Sequence, residues 1–230
     1  MEVSVLPEIV PLEMATFRFA DDEVPLAGQE GVVMAYAVRH RNGVLLFDTG
    51  FGSGSDLVDE RYHPVARSIL DALTAATIDP AAVVAVINCH LHIDHAGQNS
   101  AFPGTPIHAQ PLEWQAAHER DYTILEWIDF PAADYRLRAG DSYLLPGVRV
   151  LSTPGHTPGH QSLVIDTTEG AVILAGQAVY SRDEWDGVPT AREGASRAWD
   201  RDAYGASVAR LRAIQPVRVY FGHDRAVWTA

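Results

Sequence analysis

The residues best suited to chemistry lie in one short segment, HLHIDH, that follows a β-branched apolar run at Val83–Ile87. Such a run predicts a buried strand. A loop after a buried strand can aim alternate side chains in one direction, so we predict that His90 and His92 share one metal ion. Asp94 and His95 would then face a second ion. Imidazole and carboxylate together favour zinc, with iron, manganese or cobalt as alternatives; the competing interpretation is a metal-free polar loop.

Two further segments carry histidines after predicted strands and turns. The first is TPGHTPGH, in which Pro-Gly pairs fix tight turns, and His156 is predicted to complete a three-histidine site with His90 and His92. We expect a structural role for His160, in the same segment, rather than direct ligation. The second is Gly-His-Asp near the end of the chain, where His223 is predicted to join the second site unless it only caps the strand.

The secondary structure predicted around these residues indicates an α/β protein with short strands and few helices. An Asn-Gly pair between two apolar runs predicts a hairpin, and apolar spacing from Pro64 through Leu73 predicts a helix. A second helix is predicted around Tyr204 and Leu211. Further strands are predicted at 148–151, 163–165, 171–175 and 217–221. Several of these strands end next to a candidate site residue, which predicts a site along one edge of layered sheets.

Composition narrows the function classes. The chain of 230 residues has a formal net charge of −13, which opposes nucleic-acid binding and favours a neutral small-molecule substrate. The single cysteine, Cys89, cannot form an internal disulfide, which suggests a reducing compartment. No signal peptide or membrane-length apolar run is visible, so we expect a cytoplasmic protein, with residues 1–230 forming a single domain. Nothing in the sequence predicts the oligomeric state.

The motif HLHIDHAG at positions 90–97 resembles the signature of the metallo-β-lactamase superfamily. The Asp-Thr-Gly turn at 48–50, the Pro-Gly-His turn and the late Gly-His fit the same pattern in order, and the chain looks most like the N-acyl homoserine lactone lactonases. The resemblance implies a four-layer αββα sandwich with a two-metal site at its edge. It also implies that Asp48 orients ligand histidines by accepting their free N–H, and that Tyr180 contacts the substrate. The implied metal ligands are His90, His92 and His156 for one ion, and Asp94, His95 and His223 for the other.

One position departs from the resemblance. The superfamily normally has an aspartate that bridges both metals where this chain has Gln177. A neutral amide offsets the repulsion between two cations less than a carboxylate does, so we expect a weakly bound second ion. Three outcomes are open: ligation by the Gln177 carbonyl oxygen, a single zinc at His90, His92 and His156, or lost activity.

The function that these features predict is hydrolysis of a lactone, N-acyl homoserine lactone-like, by zinc-activated water, which would quench lactone signals. Asp94 would relay a proton to the leaving oxygen, and Tyr180 would hydrogen-bond the substrate carbonyl. The alternatives are hydrolysis of another ester or a thioester, as in glyoxalase-II-like enzymes, a non-catalytic metal-stabilised binding protein, and redox chemistry at iron. An apolar groove would have to hold the acyl chain. Aromatic candidates in or near predicted loops are Phe51, Trp114, Trp127, Phe130 and Trp185.

Overall fold

The first of two β-sheets contains seven strands in the order β4-β1-β2-β3-β5-β6-β7, in a computed structural model that describes residues 7–230. The strands β1 to β4 pair antiparallel, whereas β3, β5, β6 and β7 run parallel. Their bounds are β1 Glu8–Arg18, β2 Glu30–His40, β3 Gly43–Phe47, β4 Val65–Ala66, β5 Val83–Ile87, β6 Pro106–Ala109 and β7 Asp134–Leu137.

The second sheet contains six strands in the order β13-β12-β11-β10-β9-β8. All its pairs are antiparallel except β11 with β12. The strands are β8 Ser142–Leu145, β9 Val148–Ser152, β10 Gln161–Thr167, β11 Gly170–Leu174, β12 Arg218–Phe221 and β13 Asp224–Thr229.

Six α-helices cover the sheets or line their edges, and none in the described part of the chain is long and apolar enough to cross a membrane. They are α1 Asp56–Tyr62, α2 Ile69–Ala75, α3 Pro111–Ala117, α4 Leu125–Ile128, α5 Arg182–Asp186 and α6 Arg201–Ala213. Short 3₁₀ turns connect some of these elements.

The two sheets pack face to face around an apolar layer. In β3, Leu45 and Phe47 join this layer and meet Leu163 and Leu174 of the second sheet, whereas Leu46 faces the opposite, helix-covered side. A strand buried on both faces must be apolar throughout, which explains the continuous apolar run in β3. Fully burying one such side chain contributes about 1.5–3 kcal/mol.

Helices close the outer face of each sheet. On the first sheet, Leu73 of α2 packs into the cluster that contains Leu46. On the second, Leu211 of α6 packs against Ile173 and Val219 of β11 and β12. The layers are therefore helix, sheet, sheet, helix, and the predicted αββα architecture is confirmed.

The strand β2 is tied directly to the second sheet. The backbone N–H of Met34 donates to the carbonyl of Gly222 at 2.9 Å, and the Tyr36 hydroxyl donates to the carbonyl of Phe221 at 2.6 Å. Both acceptors lie where β12 ends. These buried bonds fix the end of β12 against the first sheet.

Some predicted elements need correction. The hairpin at Asn42 is present, with His40 paired to Gly43. The helix predicted from Pro64 begins only at Ile69, because Ser68 caps it by accepting the N–H of Asp71 at 3.4 Å. The two residues of β4, before that cap, pair with β1 instead. The strands β1, β6, β7, β8 and β13 and the shorter helices were not predicted.

Candidate active site

The loop after β5 brings two histidines of the HLHIDH motif close to a histidine of the second sheet. His90 Nε2 lies 2.9 Å from His92 Nδ1. His156, in the turn between β9 and β10, joins them, and one ligand atom from each of the three residues lies within 4.8 Å of the others. Nitrogen atoms gathered at this spacing can bind one ion. The first predicted set is thus assembled from both sheets.

The second predicted set also combines the two sheets. His95 Nε2 lies 3.2 Å from Nε2 of His223, which follows β12, and each of these nitrogens lies 3.5 Å from Asp94 Oδ2. Asp94 and His95 also approach His90 within 4.8 Å, so the two sets adjoin. The carboxylate and the two nitrogens converge on one point.

Other groups fix the orientation of the histidine rings in the second set. His95 Nδ1 donates to Asp48 Oδ2 at 3.0 Å, and Asp48 Oδ1 accepts the N–H of Cys89 at 2.8 Å. His223 Nδ1 donates to the carbonyl of Val32 at 2.8 Å. Each ring therefore turns its Nε2 toward Asp94, which is the arrangement that a metal-binding histidine needs.

The electrostatics of the second set reflect the same contacts. Burial lowers the pKa of His95, but the carboxylates of Asp94 and Asp48 outweigh it and raise that pKa to about 9. Burial raises the pKa of Asp94, whereas His95 and His223 lower it, and the result lies below its ordinary value. Because ligand histidines bind as neutral imidazoles, an ion bound here would displace the His95 proton.

Buried polar atoms without partners test whether a metal would fit. Both ring nitrogens of His156 and Oε1 of Gln177 are buried and have no hydrogen-bond partner among residues 7–230. Burial and the neighbouring imidazoles hold the pKa of His156 well below its usual value, so the ring is neutral. Neutral imidazole nitrogens without hydrogen bonds, beside a carboxylate, fit a divalent cation such as zinc.

Two other potential ligands are engaged elsewhere. His160 Nε2 accepts the backbone N–H of Gln177 at 2.9 Å, and its Nδ1 donates to the carbonyl of Thr153 at 3.1 Å. His160 thus ties the turn before β10 to the segment after β11. Cys89 lies 3.1 Å from His90 Nδ1, but burial holds the pKa of its thiol well above the ordinary value, which disfavours the thiolate that binds metals.

A buried carboxylate that the sequence analysis missed links both halves of the first set. Glu113, on α3, is 1% exposed; its Oε1 accepts the N–H of Leu91 at 2.8 Å, and its Oε2 accepts the Thr157 hydroxyl at 2.6 Å. The Tyr122 hydroxyl also donates to Oε1, and the Tyr122 ring lies 4.6 Å from that of His92. Leu91 lies between the predicted ligands His90 and His92, and Thr157 directly follows His156. Glu113 therefore connects the two loops that carry these histidines. Only its position four residues after the strand β6 hinted at this role.

A cleft of about 720 Å³ opens over the candidate metal ligands. Five of the proposed ligands and neighbours face it: His92, Asp94, His156, Gln177 and His223. Its remaining wall is largely apolar and is formed by Phe17, Phe19, Phe51, Leu57, Val58, Tyr62, Ile93, Tyr122, Ile124 and Tyr180, with a few polar side chains.

Most of the predicted aromatic contacts lie elsewhere. Of the five candidates, only Phe51 lines the cleft. Trp185 packs beneath the second sheet, and the Trp114 ring lies against that of Tyr135, with centroids 4.3 Å apart and planes at 48°. Phe17 in β1 and Phe19 directly after it belong to the aromatic wall, and the sequence analysis did not identify this strand.

Tyr180 lies where its hydroxyl can reach a bound molecule. Its ring stacks on His223, with centroids 4.5 Å apart and planes at 15°. The hydroxyl is buried and has no hydrogen-bond partner among residues 7–230. Burial raises the pKa of Tyr180 to about 12, partly opposed by the charge of Arg197, so the hydroxyl stays protonated and can donate.

The family follows from a match to a family model, which does not depend on any single relative. Residues 28–223 match the model of the metallo-beta-lactamase superfamily. The chain belongs to this superfamily. The resemblance inferred from the HLHIDHAG motif is confirmed.

Within the superfamily, several of the similar proteins are N-acyl homoserine lactonases. The chain is 39% identical over 210 residues to an N-acyl homoserine lactonase of Bacillus cereus, and the match covers 84% of this chain and 81% of the relative. It is 34% identical to N-acyl homoserine lactonase AiiA of Bacillus thuringiensis subsp. kurstaki, and this match also covers 84% of this chain and 81% of the relative. A solved N-acyl homoserine lactone hydrolase with N-hexanoyl-L-homoserine bound at its catalytic metal center matches with a TM-score of 0.77 and 29% identity, covering 96% of this chain and 93% of that one.

Proposed function

We propose that this protein is a metal-dependent lactonase that hydrolyses the ring ester of N-acyl homoserine lactones. The observation that carries the proposal is the set of converging nitrogen and carboxylate atoms in the wall of a largely apolar cleft. The lactonase relatives support the substrate class. Signal quenching follows from such an activity. The single-domain organisation and the cytoplasmic location stay predictions.

The residues named from the sequence fit the metal roles assigned to them. His90, His92 and His156 would hold one ion, and Asp94, His95 and His223 a second. A bound divalent cation such as zinc would lower the pKa of water and polarise the substrate carbonyl. The chain's own contribution is to hold these groups in place and to exclude bulk water from an apolar cleft.

Two side chains would act on the substrate directly. The Tyr180 hydroxyl would donate to the ring carbonyl oxygen, where negative charge develops as water attacks the carbonyl carbon. When the ring C–O bond breaks, Asp94 would pass a proton from the attacking water to the leaving alkoxide oxygen, which becomes the product hydroxyl. The lowered pKa of Asp94 keeps its side chain ionised at neutral pH, which is the form that can accept a proton.

We expect unequal affinity at the two metal positions because of Gln177. Two divalent ions about 3.5–4 Å apart repel by roughly 20 kcal/mol at an effective dielectric near 20. A bridging carboxylate offsets part of this repulsion, and the amide oxygen of Gln177 offsets less. The Gln177 carbonyl oxygen is buried without a partner, which supports weak ligation of one ion.

Metal titration of the native protein and of Gln177→Asp would test this inequality. We expect one tightly bound ion and one weakly bound ion in the native protein, and tighter binding of the second ion in the variant. Two tightly bound ions in both proteins would contradict the argument. The measured quantity is stoichiometry and affinity, so the result does not depend on activity.

The function itself is tested with matched substrates. Purified protein is assayed on N-acyl homoserine lactones and on thioesters, before and after chelation and with zinc restored. We expect lactone turnover that chelation abolishes and zinc restores. His156→Ala should abolish turnover, whereas His40→Ala, a change at the end of β2, should not. Turnover of thioesters alone would make the protein a thioesterase, and binding without metal-dependent turnover would make it a binding protein.

A further inference from the structure

Two arginines line the cleft, and of these only Arg61 has a side-chain hydrogen bond among residues 7–230. Arg61 Nη2 donates to Asp22 at 2.7 Å. Arg197 lies in the 3₁₀ turn before α6, and its Nε and Nη2 are buried without a hydrogen-bond partner among residues 7–230. A buried donor that stays unpaired destabilises the protein, so these N–H groups are suited to an acceptor that enters the cleft.

Aromatic rings hold the Arg197 side chain in position. The guanidinium carbon lies 4.4 Å from the ring centroid of Tyr180 and 5.4 Å from that of Phe19. Such contacts stabilise a cation through the ring faces but do not accept its in-plane N–H groups. Tyr180 in turn stacks on His223, so Arg197 lies one aromatic ring away from a proposed metal ligand.

The neighbouring carboxylate does not take up these donors. Glu23 lines the same cleft and feels the charge of Arg197, but no oxygen of Glu23 lies within 4.0 Å of the guanidinium, and Glu23 Oε1 accepts from the Tyr62 hydroxyl at 3.4 Å. Asp94 also lines the cleft, and the chain carries a net charge of −13. An anionic ligand would meet these acids, so the surroundings favour a neutral acceptor attached to an apolar chain.

We propose that Arg197 donates to the amide carbonyl oxygen of the substrate's acylamino group and thereby selects acylamino lactones over lactones with a plain alkyl chain. The inference rests on the proposed lactonase function. The ring ester would lie at Tyr180 and the metal-binding residues, and the amide would lie beside Arg197. The acyl chain would then extend along the apolar wall that includes Phe17 and Phe51.

Three lactones with the same five-membered ring test the proposal: N-hexanoyl homoserine lactone, γ-butyrolactone with an α-heptyl chain of matching length, and plain γ-butyrolactone. The measured quantity is the ratio of kcat/KM for the acylamino lactone to that for the alkyl lactone. A hydrogen bond to a charged group changes binding by about tenfold to a hundredfold. We therefore expect Arg197→Met to lower the ratio by about tenfold or more, and Arg197→Lys to lower it less.

Arg192→Met is the matched control. Arg192 also lies over Phe19, at 6.0 Å, but its Nη2 donates to the Glu30 carbonyl at 2.7 Å, and we expect the wild-type ratio. Melting temperatures check that each variant is folded.

The outcomes separate the two proposals. If Arg197→Met lowers kcat/KM equally for all three lactones, Arg197 acts through packing on Tyr180 and the inference is wrong, while the lactonase function stands. A wild-type protein without preference for the acylamino lactone would overturn it too, as would faster hydrolysis of a carboxylate-bearing lactone. Wild-type protein that hydrolyses no lactone would refute the proposed function, and this inference with it.

Discussion

Replacing Asp48 by asparagine should weaken metal binding because it leaves a proton on the His95 nitrogen that would bind the metal. One Asp48 oxygen accepts the N–H of Cys89 and the other accepts Nδ1–H of His95. In Asp48→Asn the Cys89 N–H selects the amide oxygen, so the amide N–H₂ must face His95 Nδ1. That nitrogen must then accept, so the ring keeps its proton on Nε2, the atom that faces Asp94. A protonated Nε2 cannot bind a metal.

The expected losses of metal affinity and of stability follow from these hydrogen bonds. Loss of a group that orients a ligand histidine lowers metal affinity by about tenfold to a hundredfold, which is about 1.4 to 2.8 kcal/mol. Asp48→Asn keeps the Cys89 bond but breaks the buried ion pair with His95, so the metal-free protein should lose some stability, although less than Asp48→Ala loses. Asp48→Ala leaves two buried donors unpaired, at about 1–3 kcal/mol each, and should lower the free energy of unfolding by about 2–6 kcal/mol.

Two measurements check this reasoning. Metal affinity is measured by competition with a chromophoric chelator, and stability is measured by urea denaturation of the metal-free proteins. The ion at His90, His92 and His156 serves as an internal control, because the hydrogen bonds of the Asp48 carboxylate go to Cys89 and His95 instead. If Asp48→Asn binds the other ion as tightly as wild type, Asp48 does not set the His95 tautomer. Equal stability losses in both variants would show that the charge, rather than the bond to Cys89, matters for folding.

Three further outcomes follow from the site. Glu113→Ala leaves the Leu91 N–H and the Thr157 and Tyr122 hydroxyls without their acceptor, so urea denaturation of the metal-free protein should show a loss of about 3 kcal/mol or more; wild-type stability would exclude the linking role. Tyr180→Phe removes a donor to the developing oxyanion, so steady-state kinetics on an N-acyl homoserine lactone should show kcat about a hundredfold lower with similar KM; unchanged kcat would remove Tyr180 from the mechanism. Chelation should lower the melting temperature, because free zinc at about a hundred times its Kd stabilises the folded state by about 2.7 kcal/mol, and identical melting with and without zinc would show that no ion binds the folded protein.

That the candidate metal ligands come together could be predicted because their signal is local. Most of the candidate ligands fall within one short motif or directly after a Pro-Gly turn, and the buried strand at Val83–Ile87 predicts where the motif begins. The Asn-Gly pair likewise predicts the hairpin at Asn42 from consecutive residues. Such patterns need no knowledge of distant contacts.

Other features depend on segments that meet only in the folded protein. Glu113 is one acidic residue near the start of a short helix, and nothing in its neighbours shows that Leu91 and Thr157 will donate to it. Phe17 lines the cleft because β1 lies beside β2, an arrangement that its partly exposed, interrupted pattern did not reveal. Similarly, the Ser68 cap outweighed an apolar spacing that continued back to Pro64.

The bonds between β2 and the end of β12 have a consequence for how the protein assembles. Met34, Tyr36 and Val32 hold the segment that carries His223, while His95 belongs to the opposite half of the sandwich. Neither half alone possesses a complete ligand set, so tight capture of an ion has to wait until the halves have docked in register. An ion bound there would resist their separation, so the metal-free protein should be looser than the metal-bound one.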